Sequence, residues 1–172
     1  MKSKTLKPNG FTLIELMVSV FMFSILMIVV ESAFVSSLDM QRRAFSIQQS
    51  EENANFMLES MAKEIRVSKV SGPDSDCQIS PAATLNIVHP VNGNVTYSLS
   101  GTAIHRTVNG QDTIISSNTI QFTRLRFCVS GSALKDNKQP RVTILASVRS
   151  ASLLQQVSID IQTTLSQRPL SP

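Results

Sequence analysis

The sequence predicts an α+β chain, a long N-terminal helix packed on a C-terminal antiparallel β-sheet, and three observations carry that expectation. Gly10 to Val30 form an apolar run with Glu15 as its one charge, and at roughly twenty residues it is long enough to cross a bilayer as a helix. From Glu31 to Ser71 there is neither Gly nor Pro, and helix formers dominate, so the helix continues without a break. Beyond Gly72 the apolar residues switch to a period of two, the mark of strands with one buried face. The expected organisation is therefore a basic leader over 1–10, a membrane helix over 11–30, its amphipathic continuation over 31–71 and a sheet domain over 72–172.

The leader, MKSKTLKPNG, holds Lys2, Lys4 and Lys7 and no acidic residue. By the positive-inside rule these lysines stay cytoplasmic and everything after Val30 is sent outward. Glu15 is the anomaly of the run, because a carboxylate in a membrane segment costs roughly 3 kcal/mol on insertion scales and needs a partner. An ordinary signal peptide fits poorly: the apolar run exceeds the usual h-region, and the first small-residue cut, after Ala33, would have Glu31 just upstream. A plain signal anchor is the other reading of such a segment.

A basic leader ending in Gly10, followed by Phe11, Thr12, Leu13, Ile14 and Glu15 at the head of an apolar run, resembles the class III signal of the type IV pilin superfamily. The resemblance covers Met1 to about Val30 in motif and the remainder in architecture. It implies that Gly10 is the last leader residue, removed by a prepilin peptidase on the cytoplasmic face. Phe11 would be the new N-terminus, usually N-methylated. Glu15 would face the Phe11 amine of a neighbouring subunit, half of an intersubunit ion pair. The layout of hairpins after the helix is similar to the larger minor subunits, of the J-type pseudopilin or W-type minor pilin kind.

Along the continuation, Phe34, Leu38 and Phe45 make one apolar stripe, and Ala54, Leu58, Met61 and Ile65 another. A helix from Thr12 to Val70 would be roughly 90 Å long, too long for one small globule. Its first half must bury itself in lipid or against copies of itself, and its second half against the sheet. The methionines read as adaptable packing. Ser71-Gly72-Pro73-Asp74 stops the helix.

In the sheet domain, Leu85 and Ile87, then Val95, Tyr97 and Leu99, then Ile104, Arg106 and Val108 mark short strands. Asn92-Gly93, Ser100-Gly101 and Asn109-Gly110 are the tight-turn signals between them. Ile120 and Phe122 have the opposite parity to Leu125, Phe127 and Val129, which predicts a β-bulge near Thr123 and Arg124. Gly131 to Pro140 is a polar loop. Val142, Ile144, Ala146 and Val148, then Val157, Ile159, Ile161, Thr163 and Leu165, alternate strictly. Ser166 to Pro172 is expected to fray.

Candidate chemistry is sparse. Cys77 and Cys128 in an exported domain are most simply a disulfide, whose closed loop would contribute on the order of 4 kcal/mol in the chain-entropy model. Two unpaired thiols are the alternative, and a metal pair is remote with no further Cys and two His. Asp74 and Asp76 faintly outline an oxygen-ligand calcium site, but two carboxylates are too few for its shell, and a solvated loop is the better reading. His89 and His105 read as surface or edge residues. No nucleophile elbow, phosphate-binding loop, dinucleotide fingerprint or zinc-protease motif occurs, so neither enzyme activity nor a cofactor nor a metal is expected. The net charge of +4 falls to +1 once the three leader lysines are gone, which gives no ground for nucleic-acid binding.

The expected partners are other pilin or pseudopilin subunits, the prepilin peptidase, an inner-membrane assembly platform, and membrane lipid before assembly. The expected location is the inner membrane, single-pass with a periplasmic C-terminal domain, and then a pilus or pseudopilus. The expected function is that of a structural minor subunit of a type IV pilus or type II secretion pseudopilus. Three rivals remain: a binding module on a pilin stem, using loops Asp74 to Ala83 and Gly131 to Gln139 to recognise a surface, exoprotein or DNA; a DNA-uptake pseudopilin; and a monotopic periplasmic protein anchored by an uncleaved helix.

Overall fold

A computed structural model describes residues 10–132, 138–151 and 157–167. The chain divides into two compact units, Met1–Arg42 and Arg43–Pro172. Helix α1 runs Leu13–Val67 without interruption, as the absence of Gly and Pro predicts. Among the described residues of the first unit α1 is the sole element. Its large apolar side chains from Leu13 to Val30 are all exposed, from 46% at Ile25 to 79% at Leu13.

The second unit contains the C-terminal part of α1 and eight strands: β1 Lys69–Ser71, β2 Thr84–His89, β3 Gly93–Ser100, β4 Ala103–Val108, β5 Gln111–Ile114, β6 Ile120–Ser130, β7 Arg141–Ser150 and β8 Ser158–Ser166. All pairings are antiparallel. The expected single sheet is in fact two, one of five strands in the order β1-β2-β3-β4-β5 and one of three in the order β6-β7-β8. Alternation tells which face of a strand is buried but not which strand lies beside it, so this partition had no sequence signal. The two sheets are joined at their margins, where Phe122 N–H donates to the Thr102 carbonyl at 2.9 Å.

Three further details depart from expectation. The helix ends at Val67, and Lys69–Ser71, read as its last turn, pairs instead with β2. Val70 is buried opposite Ile87 there, and a β-branched residue gains more from that pairing than from a frayed helix end. Strand β5 had no strand signal because all four of its residues are exposed, leaving no alternation to detect. Ser166 closes β8, and Gln167, expected to fray, is buried: its N–H donates to the Pro140 carbonyl at 2.9 Å. Leader residues 1–9, loop residues 133–137 and the tail from Arg168 lie outside the described residues.

The turn and bulge readings hold. Gly93, Gly101 and Gly110 have φ of 73°, 61° and 88°, values an L side chain adopts at a cost. The β6–β7 register shifts between Phe122 and Arg124, which lets Phe122 and Leu125 both point inward on either side of the parity change. The core joins Ala54, Leu58, Met61 and Ile65 of α1 to Leu85, Ile87, Val95, Tyr97, Phe122, Phe127, Ile144 and Val148 of the sheets. Met61 and Ile65 are 0% exposed, and each such side chain contributes about 1.5–3 kcal/mol when fully buried.

Polar groups cross from the helix as well: Asn53 Nδ2 donates to Thr119 Oγ1 at 3.1 Å, and Glu64 makes the larger set of contacts. Glu64 on α1 accepts from Arg106 of β4 twice, Nε to Oε2 at 2.9 Å and Nη2 to Oε1 at 2.5 Å. It also accepts from the Tyr97 hydroxyl of β3 and from Asn92 Nδ2 at 3.3 Å. Chiefly through the Arg106 hydrogen bonds, and against the effect of burial, the carboxyl is lowered to about 2. Burial, and then the Glu64 carboxylate, push the Tyr97 phenol well above its usual range.

The burial of Ala54 through Ile65 predicts how the domain responds to truncation. A fragment starting at Ile47 retains all seven buried positions of α1, from Ser50 to Ile65, and is expected to be a soluble monomer of mixed helix and sheet. A fragment starting after Ile65 exposes the apolar sheet faces and should aggregate. Gel filtration and circular dichroism of the two fragments check this. Equal folding of the shorter one would show that the helix is dispensable to the core.

Candidate functional site

The site that the sequence singles out lies at the start of α1. The main chain turns into the helix at Thr12, whose carbonyl accepts from Leu16 N–H at 3.2 Å and whose Oγ1 lies 3.4 Å from Glu15 N. Thr12 is thus the N-cap, and Thr-x-x-Glu is the spacing of a capping box. The helix N-terminus carries partial positive charge, so Glu15 stands where a carboxylate is favoured even before a partner arrives. This cap was legible in Thr12-Leu13-Ile14-Glu15 and was overlooked because the apolar run dominates the reading.

Every other side chain in the run is apolar or satisfied within the helix. Ser19 Oγ donates to the Glu15 carbonyl and Ser24 Oγ to the Val20 carbonyl, both at 2.8 Å, which satisfies both hydroxyl donors within the helix. Glu15 is left as the single charge between Gly10 and Val30. Among the described residues nothing requires glycine at position 10: a Cβ there would meet nothing within 4 Å, and its φ lies outside the left-handed region. Phe11 is 83% exposed.

In the second unit the candidate residues are occupied structurally. Cys77 and Cys128 form a disulfide, with Cα atoms 5.2 Å apart, fastening the loop after β1 to β6. The same loop bonds β6 along its backbone, through Ser75 N–H to the Val129 carbonyl at 2.8 Å and a two-way bridge between Ala82 and Phe127. Asp74 accepts from Ser132 Oγ and N–H at 2.6 and 2.8 Å and from Gly131 N–H at 2.9 Å. Those donors, the Ser132 hydroxyl foremost, hold its carboxyl below the usual range. Asp76 accepts from Gln78 N–H at 2.7 Å. The two carboxylates are used in tying down a loop, and no cluster of three metal-ligating side chains occurs among the described residues. His89 Nδ1 accepts from Val91 and Asn92 N–H. His105 Nδ1 lies 2.5 Å from Asp112 Oδ2 across the β4–β5 pair, and lowers the Asp112 carboxyl.

The residue that sequence reasoning missed is Glu64. Its signal was present but faint: a charge one turn from both buried Met61 and Ser68, beside an arginine that breaks the apolar alternation of Ile104, Arg106 and Val108.

Comparison with known proteins agrees with the N-terminal reading. Residues 6–30 match the prokaryotic N-terminal methylation motif. No curated protein and no solved structure is matched by the chain. With that motif at the head of one long helix, and antiparallel sheets packed on the helix's later turns, the chain carries a type IV prepilin signal and has the α+β, pilin-like architecture consistent with the type IV pilin superfamily.

Proposed function

We propose that this chain is a structural subunit of a type IV pilus or related pseudopilus, a low-abundance one near the tip or in the initiating complex. The single observation that carries the proposal is the lone Glu15 at the capped start of an exposed apolar helix, within the methylation motif. Before assembly the segment from Phe11 to Val30 resides in the inner membrane, with the sheet domain outside. A prepilin peptidase cuts after Gly10 and the new Phe11 amine is methylated. Among the described residues nothing crowds position 10, and we assign the glycine there to the enzyme that reads it. Assembly then transfers the apolar helix from lipid to a bundle of like helices. An assembly platform and a cytoplasmic motor drive that transfer, and the chain is a substrate of enzymes without being one.

Glu15 makes the transfer specific. In lipid the carboxylate is a liability, and against the Phe11 ammonium of a neighbour it becomes half of a pair. Mass spectrometry of the mature N-terminus tests the proposal: a chain beginning at methylated Phe11 is expected, and an intact Met1 would overturn it.

A further inference from the structure

Four strands lie at sheet margins, and three of them are short or covered. β1 has three residues and β5 four. The free side of β6 is bonded along its backbone by the chain itself: Ser75 N–H to the Val129 carbonyl, the two-way bridge of Ala82 and Phe127, and Phe122 N–H to the Thr102 carbonyl. β8 differs, with nine residues, no Pro, Lys or Arg, and no register shift against β7. Shortness, Lys, Pro and bulges are what keep an edge from pairing, and β8 has none of them.

Two bonds show which of its backbone groups are open. Ser150 N–H donates to the Val157 carbonyl and Gln167 N–H to the Pro140 carbonyl, so by antiparallel alternation the odd-numbered residues between Val157 and Gln167 face β7. The N–H and C=O groups of Ser158, Asp160, Gln162, Thr164 and Ser166 therefore point away from the sheet, and they find no backbone partner among the described residues. The core also stays open here. Val148 and Ala146 of β7 are buried, whereas Ile159 and Ile161, directly opposite them on the same face, are half-buried. Between β8 and α1 lies a groove of about 360 Å³ lined by Leu58, Ala62, Ile161 and Leu165, with Glu59 and Arg66 on its helix wall.

The charges on that wall select the occupant. Arg66 has no hydrogen bond or ion pair among the described residues, and Glu59 is met by exposed Lys63 at 3.2 Å, a contact exchanged at little cost. Seven residues separate the two, about 10 Å along the helix axis, which side chains two to four residues apart on one face of a strand can span. Gln167 Oε1 accepts from Val70 N–H at 3.5 Å, so β8 ends beside the end of α1 and the two run in the same sense. A strand added antiparallel to β8 thus meets Arg66 before Glu59. We infer that the β8 edge is a docking site for one extended segment of a separate protein, apolar at alternate positions and carrying an acidic residue ahead of a basic one on its inward face. Main-chain bonds to the open residues supply the affinity, and the two charges supply the direction. A second copy of this chain, inserted with the same polarity, presents β8 in the parallel sense and brings its own α1 alongside. The inference concerns a partner outside the filament and does not depend on the subunit reading above.

The test titrates the full-length chain in detergent micelles with the synthetic peptide Val-Thr-Glu-Thr-Val-Thr-Lys-Thr-Val, whose valines and charges share one face. Saturable binding is expected, with hydrogen exchange slowed at the amides of Gln162 and Thr164 and unchanged at Ile161 and Thr163, which already face β7. Methylating the threonine amides, which lie opposite the open residues, should abolish binding. Gln162→Pro removes one open N–H without breaking the β7 ladder and should weaken binding about tenfold. Circular dichroism checks that this variant folds, and if it does not, the methylated peptide and the exchange pattern decide. Exchanging Glu and Lys in the peptide should weaken binding, and Glu59→Arg/Arg66→Glu should reverse that preference. No saturable binding, protection at the odd-numbered amides in place of the even, equal binding of the methylated peptide, no reversal, or a dimer of the chain through β8 would each overturn the inference.

Discussion

Glu64→Ala, made in the soluble fragment that begins at Ile47, is expected to lower the free energy of unfolding by about 3 kcal/mol, the low end of what removing one partner of a buried ion pair costs. The loss has two sources. The Arg106 side chain is 26% exposed and would keep its charge with its carboxylate gone, and the buried Tyr97 hydroxyl would lose its acceptor. Both residues belong to the five-stranded sheet, and Glu64 belongs to the helix, so the same substitution loosens the joint between them. Urea unfolding at pH 7 measures the effect, and a cycle with Arg106→Gln isolates the pair itself. A change under about 0.5 kcal/mol, the range of ordinary surface substitutions, would show that the apolar contacts alone hold the helix.

The same carboxylate gives a pH dependence of fixed sign. Its folded value of about 2 lies below the ordinary glutamate value of 4.5, so folding favours the ionised form. The stabilisation is fully present above the unfolded value and is lost as pH falls from about 4.5 toward about 2. Glu64→Gln removes this titration. The difference in stability between the parent and Glu64→Gln should therefore be constant from pH 7 to pH 6 and shrink between pH 4.5 and pH 2. A difference independent of pH would assign the effect to shape instead of charge.

Glu15→Leu is expected to abolish or sharply reduce incorporation into filaments while leaving the leader cut. The substitution removes the roughly 3 kcal/mol insertion penalty, so the variant should be a better membrane anchor than the parent. It also deletes the acceptor for a neighbour's Phe11 ammonium, which would then be buried without a partner. Gly10→Val acts one step earlier, because the peptidase must accept a small residue at the cut; the leader should stay attached and the protein should remain in the membrane. Immunoblots of membrane and sheared-filament fractions, with N-terminal mass for each, separate the two steps. Normal incorporation of a cleaved Glu15→Leu variant would show that the carboxylate has no pairing role.

What the sequence determined by itself is local in origin. The apolar run from Gly10 to Val30, its single Glu15, the buried stripe of Ala54, Leu58, Met61 and Ile65, the glycine turns and the bulge between Phe122 and Arg124 each follow from residues a few positions apart. Periodicity reports which face of an element leaves water, and it did so for α1 and for six of the eight strands, all but β1 and β5. The tertiary structure alone decided the matters of partnership: the division of eight strands into two sheets, the pairing of Lys69–Ser71 with β2 in place of a last helical turn, the bond between Cys77 and Cys128, and the meeting of Glu64 with Arg106 across 42 residues of chain. Each of these depends on the distance between segments remote in sequence. A spacing of three, four or seven residues fixes direction around a helix, and a spacing of two fixes the side of a strand, but neither fixes what stands opposite.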